Sequence, residues 1–553
     1  MKRRYPLLAA VALQAALFLA VWLAGTARFA TNDDVAMLFQ AAGVCTDPAP
    51  TAFLLWTHVG LGWVLKTLYR AAPGWPWYAL YLVGVLFAAQ TAVLWAVLRR
   101  ADWRRGCAVY VLYFALLGAQ MLLNLQFTTV GCLAAAAGLW LIAGGEALGR
   151  RGWTAAVLLV ALGGMVRWLS LALALLLLLP LLAVRLWTWP AKRRAAALLA
   201  LAAALALSAG LRQADRLARE RAPGWREFVE FDPLLCRFVD DDVLEGLDEA
   251  GLRAALAPAG WSANDYRMLR RYWFLDPEVF SAERLRAILE RVPPLKTGLP
   301  WRQVARQTRR ALGTPWARHA LLAAVAGLLL AGAGRRAWLE LVVGLATVAV
   351  LTVYLIYARK PPPPRVYLPM FAAVAWIGVW PWSASAAGRA GAGWPRRARL
   401  AALAAAAVCV LWAARWALAS YRWQSRENRR DQAALAAALA RLNPQPRQLY
   451  AVWGWALPWP YWPPAADARR LEAFRIFPLS SAQRLPGPQR RLREFGIEDL
   501  HRALAEREDL FLICDPREEF PLYQRYLRER YGRDVKGETV FTSDIFDVLR
   551  VRP

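Results

Sequence analysis

Apolar residues in this chain are gathered into long blocks joined by short polar connections, rather than into one-sided helical stripes. A helix needs about 20 mainly apolar residues to cross the hydrocarbon of a bilayer. By that measure about eleven blocks predict spanning helices: Tyr5 to Ala24, Trp77 to Leu98, Cys107 to Leu123, Phe127 to Ile142, Trp153 to Val166, Trp168 to Val184, Ala195 to Leu211, Trp316 to Ala333, Ala337 to Tyr357, Tyr367 to Ser385 and Leu400 to Ala419. Lys2, Arg3 and Arg4 precede the first block, whose length fits an uncleaved signal anchor better than the shorter apolar core of a signal peptide.

Charge tests this layout independently, because cytoplasmic connections carry an excess of Lys and Arg. The basic clusters fall at every second connection: Lys2 to Arg4, Arg99 to Arg105, Arg150 with Arg151, Arg185 with Lys192 to Arg194, Arg335 with Arg336, and Arg389 with Arg396 to Arg399. An even number of crossings must separate Arg151 from Arg185, so Arg167, beside Gly163 and Gly164, marks an outer turn between two helices. The expected protein sits in the inner (cytoplasmic) membrane with its N-terminus in the cytoplasm and its C-terminus in the periplasm or outside the cell.

Three water-facing segments of substance follow, within a spanning domain over 1–419 and an outer domain over 420–553. The first, 25–76, contains Thr51 to Tyr69, which is nearly long enough to span. Counting it as a span breaks the charge alternation, so it is expected as an amphipathic helix on the outer surface. The second, 212–315, reads as short helices, with Ser262 and Ser281 as N-caps. In the third, a helix over Asn428 to Leu442 leads to a strand over Leu449 to Trp455, a helix over Ile497 to Glu508, a strand over Leu510 to Cys514, a helix over Phe520 to Tyr531 and a final strand pair. That alternation predicts a small α/β domain. The fold class is an α-helical polytopic membrane protein with a helical outer segment and a C-terminal α/β domain.

Composition agrees: 58% of the 553 residues are hydrophobic, too many for a soluble chain of this length. The net charge of +29 would suggest nucleic acid in a soluble protein, but membrane topology explains where the clusters fall. Six cysteines without CxxC spacing and three scattered histidines argue against a zinc or iron–sulfur site. Cys45 and Cys236 both fall on the oxidising side, and no spacing argument decides whether they pair.

The sharpest local feature is Thr31-Asn32-Asp33-Asp34, just beyond the first block. Adjacent carboxylates repel, which favours a cationic partner, a metal or a shifted pKa; the plainer reading is a solvated turn in which Asn32 or Asp33 caps a helix from Val35 to Ala42. The connection Arg359-Lys360-Pro361-Pro362-Pro363-Pro364-Arg365 is basic where little charge is expected. Its prolines hold it extended, presenting Arg359, Lys360 and Arg365 to phosphate oxygens, of a bound ligand or of bulk lipid. Arg167 is a similar outer arginine. Trp453, Trp455, Trp459, Tyr461 and Trp462 offer faces for sugar stacking, or fill an interface belt or core. His58 is a possible substrate donor or a plain interfacial residue.

Asp33-Asp34 directly after the first span, the basic Lys360 to Arg365 loop leading into Tyr367-Leu368-Pro369, and the outer C-terminal domain together resemble the GT-C glycosyltransferases. The resemblance implies a membrane enzyme that moves a sugar from a polyprenyl-phosphate or polyprenyl-diphosphate donor to an envelope glycan, lipid or protein acceptor on the outer face. It implies Asp33 or Asp34 as general base, and Arg359, Lys360, Arg365 and Arg167 as ligands of the departing phosphate. His58, Trp453 and Trp455 are possible substrate contacts. Some relatives use a divalent metal, but no full ligand set is visible, so no cofactor is expected. Two other readings stand beside it: a lipid-linked-sugar transporter or flippase, disfavoured by the scarcity of charges inside the blocks, and a non-catalytic envelope assembly protein.

Overall fold

The computed structural model describes residues 6–99, 103–144, 149–292, 298–331, 333–358, 362–379, 396–442, 448–479 and 481–553. The chain is an α-helical polytopic membrane protein that also carries a small α/β region. Among the described residues seven helices are each long and apolar enough to cross a bilayer: Pro6–Ala24, Trp77–Leu98, Gly106–Leu123, Phe127–Gly144, Trp168–Thr188, Ala191–Arg221 and Arg335–Tyr357. Trp301–Leu312 and Pro315–Ala331, bent by 60° at their junction, give an eighth if counted as one span. The remaining predicted blocks are helical too. They lie on Gly149–Val166, which opens with Arg150 and Arg151, on the shorter Pro364–Val379, and on Arg396–Arg441. The part of the Tyr367 to Ser385 block beyond Val379 lies outside the described residues.

Two compact units form, each from three separate stretches of chain: 1–30, 79–214 and 298–429 in the first, and 31–78, 215–297 and 430–553 in the second. In the first unit, every residue of Phe127–Gly144 up to Ala143 is buried. Its small residues admit a close neighbour: a Cβ on Gly163 would lie 2.5 Å from the Gly131 carbonyl oxygen. Such contacts carry helix association where lipid supplies no hydrophobic drive. Some buried polar groups of this unit pair across helices. Arg185 donates to Glu340 at 2.6 Å, Tyr110 Oη donates to Gln14 at 2.6 Å, and Gln14 donates to Gln90 at 3.1 Å. The predicted turn at Arg167 is present: one helix ends at Val166, the next starts at Trp168, and Arg167 between them is extended (φ −160°, ψ 123°).

In the second unit a five-stranded sheet runs in the order Ile476–Leu479, Leu449–Trp453, Leu510–Ile513, Asp547–Arg552, Lys536–Thr542. The first three strands are parallel, and the last two join antiparallel. Every residue of Leu449–Trp453 is buried, as expected of a strand covered on both faces. Its covering layer comes partly from 215–297, which sends Trp261, Trp273 and Phe280 into one core with Trp453, Leu512, Tyr523 and Tyr526. Both predicted serine caps are present, with Ser262 and Asp265 forming a reciprocal capping box and Ser281 accepting from the Arg284 N–H.

Two expectations are corrected. The helix expected from Thr51 begins only at Val59, because the preceding backbone is held by its neighbour: Thr51 N–H donates to the Gln40 carbonyl and Leu55 N–H to Gln40 Oε1, each at 3.0 Å. The Leu400 to Ala419 block and the Asn428 to Leu442 helix are one continuous helix, Arg396–Arg441, which contains neither Gly nor Pro to break it.

Three of the buried groups of the second unit titrate between about 4 and 7, away from their ordinary values. Burial pushes the Asp47 and Glu519 carboxyls each up to about 7, and burial pushes His501 down to about 4. The two carboxyls bind protons more tightly in the folded state, so their contribution to stability is complete near pH 4 and is lost as pH rises to about 7. His501 works oppositely, losing its contribution only as pH falls from 6.5 towards about 4. Between pH 8 and 6.5, then, the carboxyls gain protons while His501 is unaffected. Thermal unfolding of the full chain followed by tryptophan fluorescence should shift upward over that interval. The Asp47→Asn, Glu519→Gln double variant should flatten the shift, and an equal shift in that variant would refute the assignment.

Candidate functional site

The acidic pair belongs to the second unit. Helix Asn32–Ala42 begins after Thr31, which is extended and makes no side-chain cap to the backbone. Neither Asn32 nor Asp33 is the cap, since both already lie in the helix. Instead the Thr31 hydroxyl donates to Asp34 Oδ2 at 2.7 Å, and the Tyr78 hydroxyl donates to Asp34 Oδ1 at 3.3 Å. Tyr78 is itself set by its backbone N–H, which donates to the Tyr69 hydroxyl at 3.1 Å. Asp34 is therefore wholly buried with an O–H on each oxygen, while Asp33 is half-buried. Carboxylates in a first turn are favoured by the helix dipole. Gly43 (φ +70°) ends the helix in the left-handed conformation that other residues avoid. Burial, Asp240 and then Asp33 hold the Tyr272 phenol above its ordinary range, which places Asp33 within electrostatic reach of Tyr272.

The basic residues belong to the first unit, where the start of Phe127–Gly144 gathers them. Arg167 Nη1 donates to Thr128 Oγ1 at 2.5 Å, and its guanidinium lies 4.9 Å from the Phe127 ring centre. On the adjacent residue, Thr129 Oγ1 donates to the Arg365 carbonyl at 3.1 Å. Gln126 prepares this end, accepting from Thr129 N–H at 2.8 Å and donating to Thr128 Oγ1 at 3.0 Å. Arg28 joins them: Arg28 and Phe29 pair in parallel with Asn124 and Leu125, and Arg28 Nε donates to Asn124 Oδ1 at 3.4 Å. Arg28, Arg167 and Arg365 are each half-buried around residues 124–129, at the positive end of a helix dipole. Arg28 was not among the residues the sequence singles out; its only signal is a lone arginine in a segment where few are expected. Arg359 and Lys360 lie outside the described residues.

The other residues singled out in the sequence take these places. His58 starts the Val59–Ala71 helix, its Nδ1 accepting from Gly60 N–H at 2.9 Å, so the ring serves a helix end. Trp453 is fully buried, donates through Nε1 to the Arg271 carbonyl at 2.7 Å and packs on Trp273, 4.6 Å between ring centres. No face of it is open to a sugar. Trp455 is 51% exposed and meets Tyr272 edge-on at 5.5 Å, in the part of the second unit that Asp33 reaches electrostatically. Cys45 and Cys236 are free thiols. Among the described residues no group of three or more His, Cys, Asp or Glu side chains is arranged to hold a metal ion.

No family model matches this chain, and no curated protein matches it. Among solved structures, ArnT from Cupriavidus metallidurans in the apo state aligns over 98% of this chain and 97% of its own, with 13% identity and a TM-score of 0.40. ArnT from the same organism bound to undecaprenyl phosphate aligns over the same shares, with 14% identity and a TM-score of 0.37. At that level of likeness the roles of residues rest on this chain's own chemistry.

Proposed function

We propose that this protein is a GT-C type membrane glycosyltransferase that moves a sugar from a polyprenyl-linked phosphate donor to a hydroxyl acceptor on the outer face. The observation that carries the reading is the division of labour within the acidic pair: Asp34 is buried and saturated by two hydroxyls, whereas Asp33, beside it, keeps exposed surface. A general base must reach the proton it takes, so Asp33 is the base and Asp34 fixes the turn that presents it. In the reaction the acceptor oxygen gives its proton to Asp33 and bonds to the sugar's anomeric carbon. The bond from that carbon to the phosphate oxygen breaks, and the lipid phosphate leaves with the electron pair. Arg28, Arg167 and Arg365, which belong to the first unit, are assigned on their own chemistry to binding a polyprenyl-linked phosphate, a role in which oriented cations act strongly.

Comparing lipid-linked and envelope glycans by mass spectrometry with and without the intact gene tests the reaction class; identical profiles would remove it. The phosphate assignment has its own test. Arg365→Ala should weaken binding of a polyprenyl-phosphate donor at least tenfold, and Arg365→Lys should weaken it measurably, because a fitted site uses the planar fork of arginine. If both kept affinity within about twofold, roughly 0.4 kcal/mol, Arg365 would be reassigned to bulk headgroups.

A further inference from the structure

The Trp301–Leu312 helix belongs to the first unit and contains four arginines, Arg302, Arg306, Arg309 and Arg310, and no acidic residue. Val304 and Ala311 are buried, while all four arginines are exposed. Arg302 and Arg306, and Arg306 and Arg310, stand four residues apart, a spacing at which like charges destabilise a helix. Among the described residues no carboxylate lies within ion-pair distance of any of the four. The helix therefore carries a cationic face that its own surroundings leave uncompensated.

Its position says what compensates it. Leu299 N–H, just before the helix, donates to the Tyr357 carbonyl at 3.1 Å, and Trp301 stacks on the Tyr357 ring at 5.2 Å. Tyr357 is the last residue of the 23-residue apolar helix Arg335–Tyr357. At 1.5 Å per residue that helix is roughly 35 Å long, enough to cross a hydrocarbon layer of about 30 Å and to bring Tyr357 to headgroup level. The 60° bend before Pro315–Ala331 turns Trp301–Leu312 away from the line of the next apolar helix. Trp301, 67% exposed, is of the residue type that settles at a membrane interface.

We propose that Trp301–Leu312 lies in the headgroup layer and that its arginine face binds anionic glycerophospholipids. Guanidinium groups engage phosphate oxygens in pairs, and each basic residue at an anionic surface strengthens association by about fivefold. Its arginines are none of those assigned to the donor phosphate, Arg28, Arg167 and Arg365, and its proposed occupant is a lipid of the bilayer rather than a consumed donor.

The test uses the full chain reconstituted in nanodiscs of equal phosphatidylglycerol and phosphatidylcholine, with retained lipids counted by native mass spectrometry. The unaltered protein should retain phosphatidylglycerol at least fivefold over phosphatidylcholine. The R302Q/R306Q/R309Q/R310Q variant should fall to near parity, while the matching set of Arg→Lys changes should keep most of the preference. R517Q/R525Q, which removes two exposed arginines of the second unit, should change nothing and controls for loss of arginine elsewhere on the chain. In the unaltered protein 0.5 M salt should also abolish the preference, a reading that does not depend on a variant folding. Equal preference in the glutamine variant would overturn the proposal. Displacement of the bound lipid by millimolar inorganic phosphate would overturn it too, by showing a site for a free ion. Displacement by one equivalent of polyprenyl phosphate would likewise overturn it, by assigning the face to the donor, and would leave the glycosyltransferase reading intact.

Discussion

Replacing Asp33 by asparagine should lower glycosyl transfer by about 10²- to 10⁴-fold, the usual contribution of a positioned general base, while leaving folding and membrane insertion unchanged. The change keeps the shape of the side chain and removes its basicity. Because Asp33 is half-buried in a first helical turn, an amide is accommodated there without disturbing the core. Asp34→Asn should behave differently. Both oxygens of Asp34 accept a hydroxyl proton, one from Thr31 and one from Tyr78, and an asparagine offers an acceptor at only one of the two positions. A buried hydroxyl left without an acceptor costs about 1–3 kcal/mol, so Asp34→Asn should lower the unfolding temperature as well as activity. Turnover, thermal unfolding and membrane yield measured on both single variants separate the roles. Full turnover in Asp33→Asn would refute the base assignment, and unchanged unfolding in Asp34→Asn would refute its structural part.

The second large effect is expected at Trp453, two residues from a tryptophan that should barely matter to stability. Trp453 is fully buried and packs on both Trp273 and Tyr523, with its only polar atom bonded to the Arg271 carbonyl. Trp453→Ala should cost about 3–5 kcal/mol, the range for deleting a large aromatic side chain from a core. Trp455→Ala, at a position 51% exposed, should change stability by well under 1 kcal/mol. Chemical unfolding of each variant decides: equal stabilities would contradict the burial of Trp453. A loss of acceptor affinity confined to Trp455→Ala would in turn identify Trp455 as the aromatic face available to a sugar.

The pair also shows where sequence reading stops. The sequence reads as a strand over Leu449 to Trp455, and strand periodicity would send Trp453 and Trp455 to the same face. The strand ends at Trp453, however, and Gly454, in the left-handed conformation (φ +50°), turns the chain so that Trp455 leaves the core. A displaced helix border had a similar effect at Thr31: the sequence reading puts the cap at Asn32 or Asp33 and the helix start at Val35, whereas the helix starts at Asn32 and Asp34 lies where two hydroxyls reach it.

What the sequence determined by itself was whatever depends on neighbours along the chain. Apolar blocks became helices because length and hydropathy are local properties. Ser262 with Asp265 made a capping box because both partners lie within one turn. Arg167 fell between two helices where charge alternation required a turn. What only the tertiary structure decided was whatever depends on residues distant in sequence. The stretches 31–78, 215–297 and 430–553 close into one compact unit because the parallel strands need a covering layer, and Trp261, Trp273 and Phe280 supply part of it. Arg28, Arg167 and Arg365 gather around residues 124–129 through a two-residue strand pairing and two adjacent threonines. Those bonds link positions as many as 236 residues apart, a separation at which no local pattern records which arginine will meet which helix end.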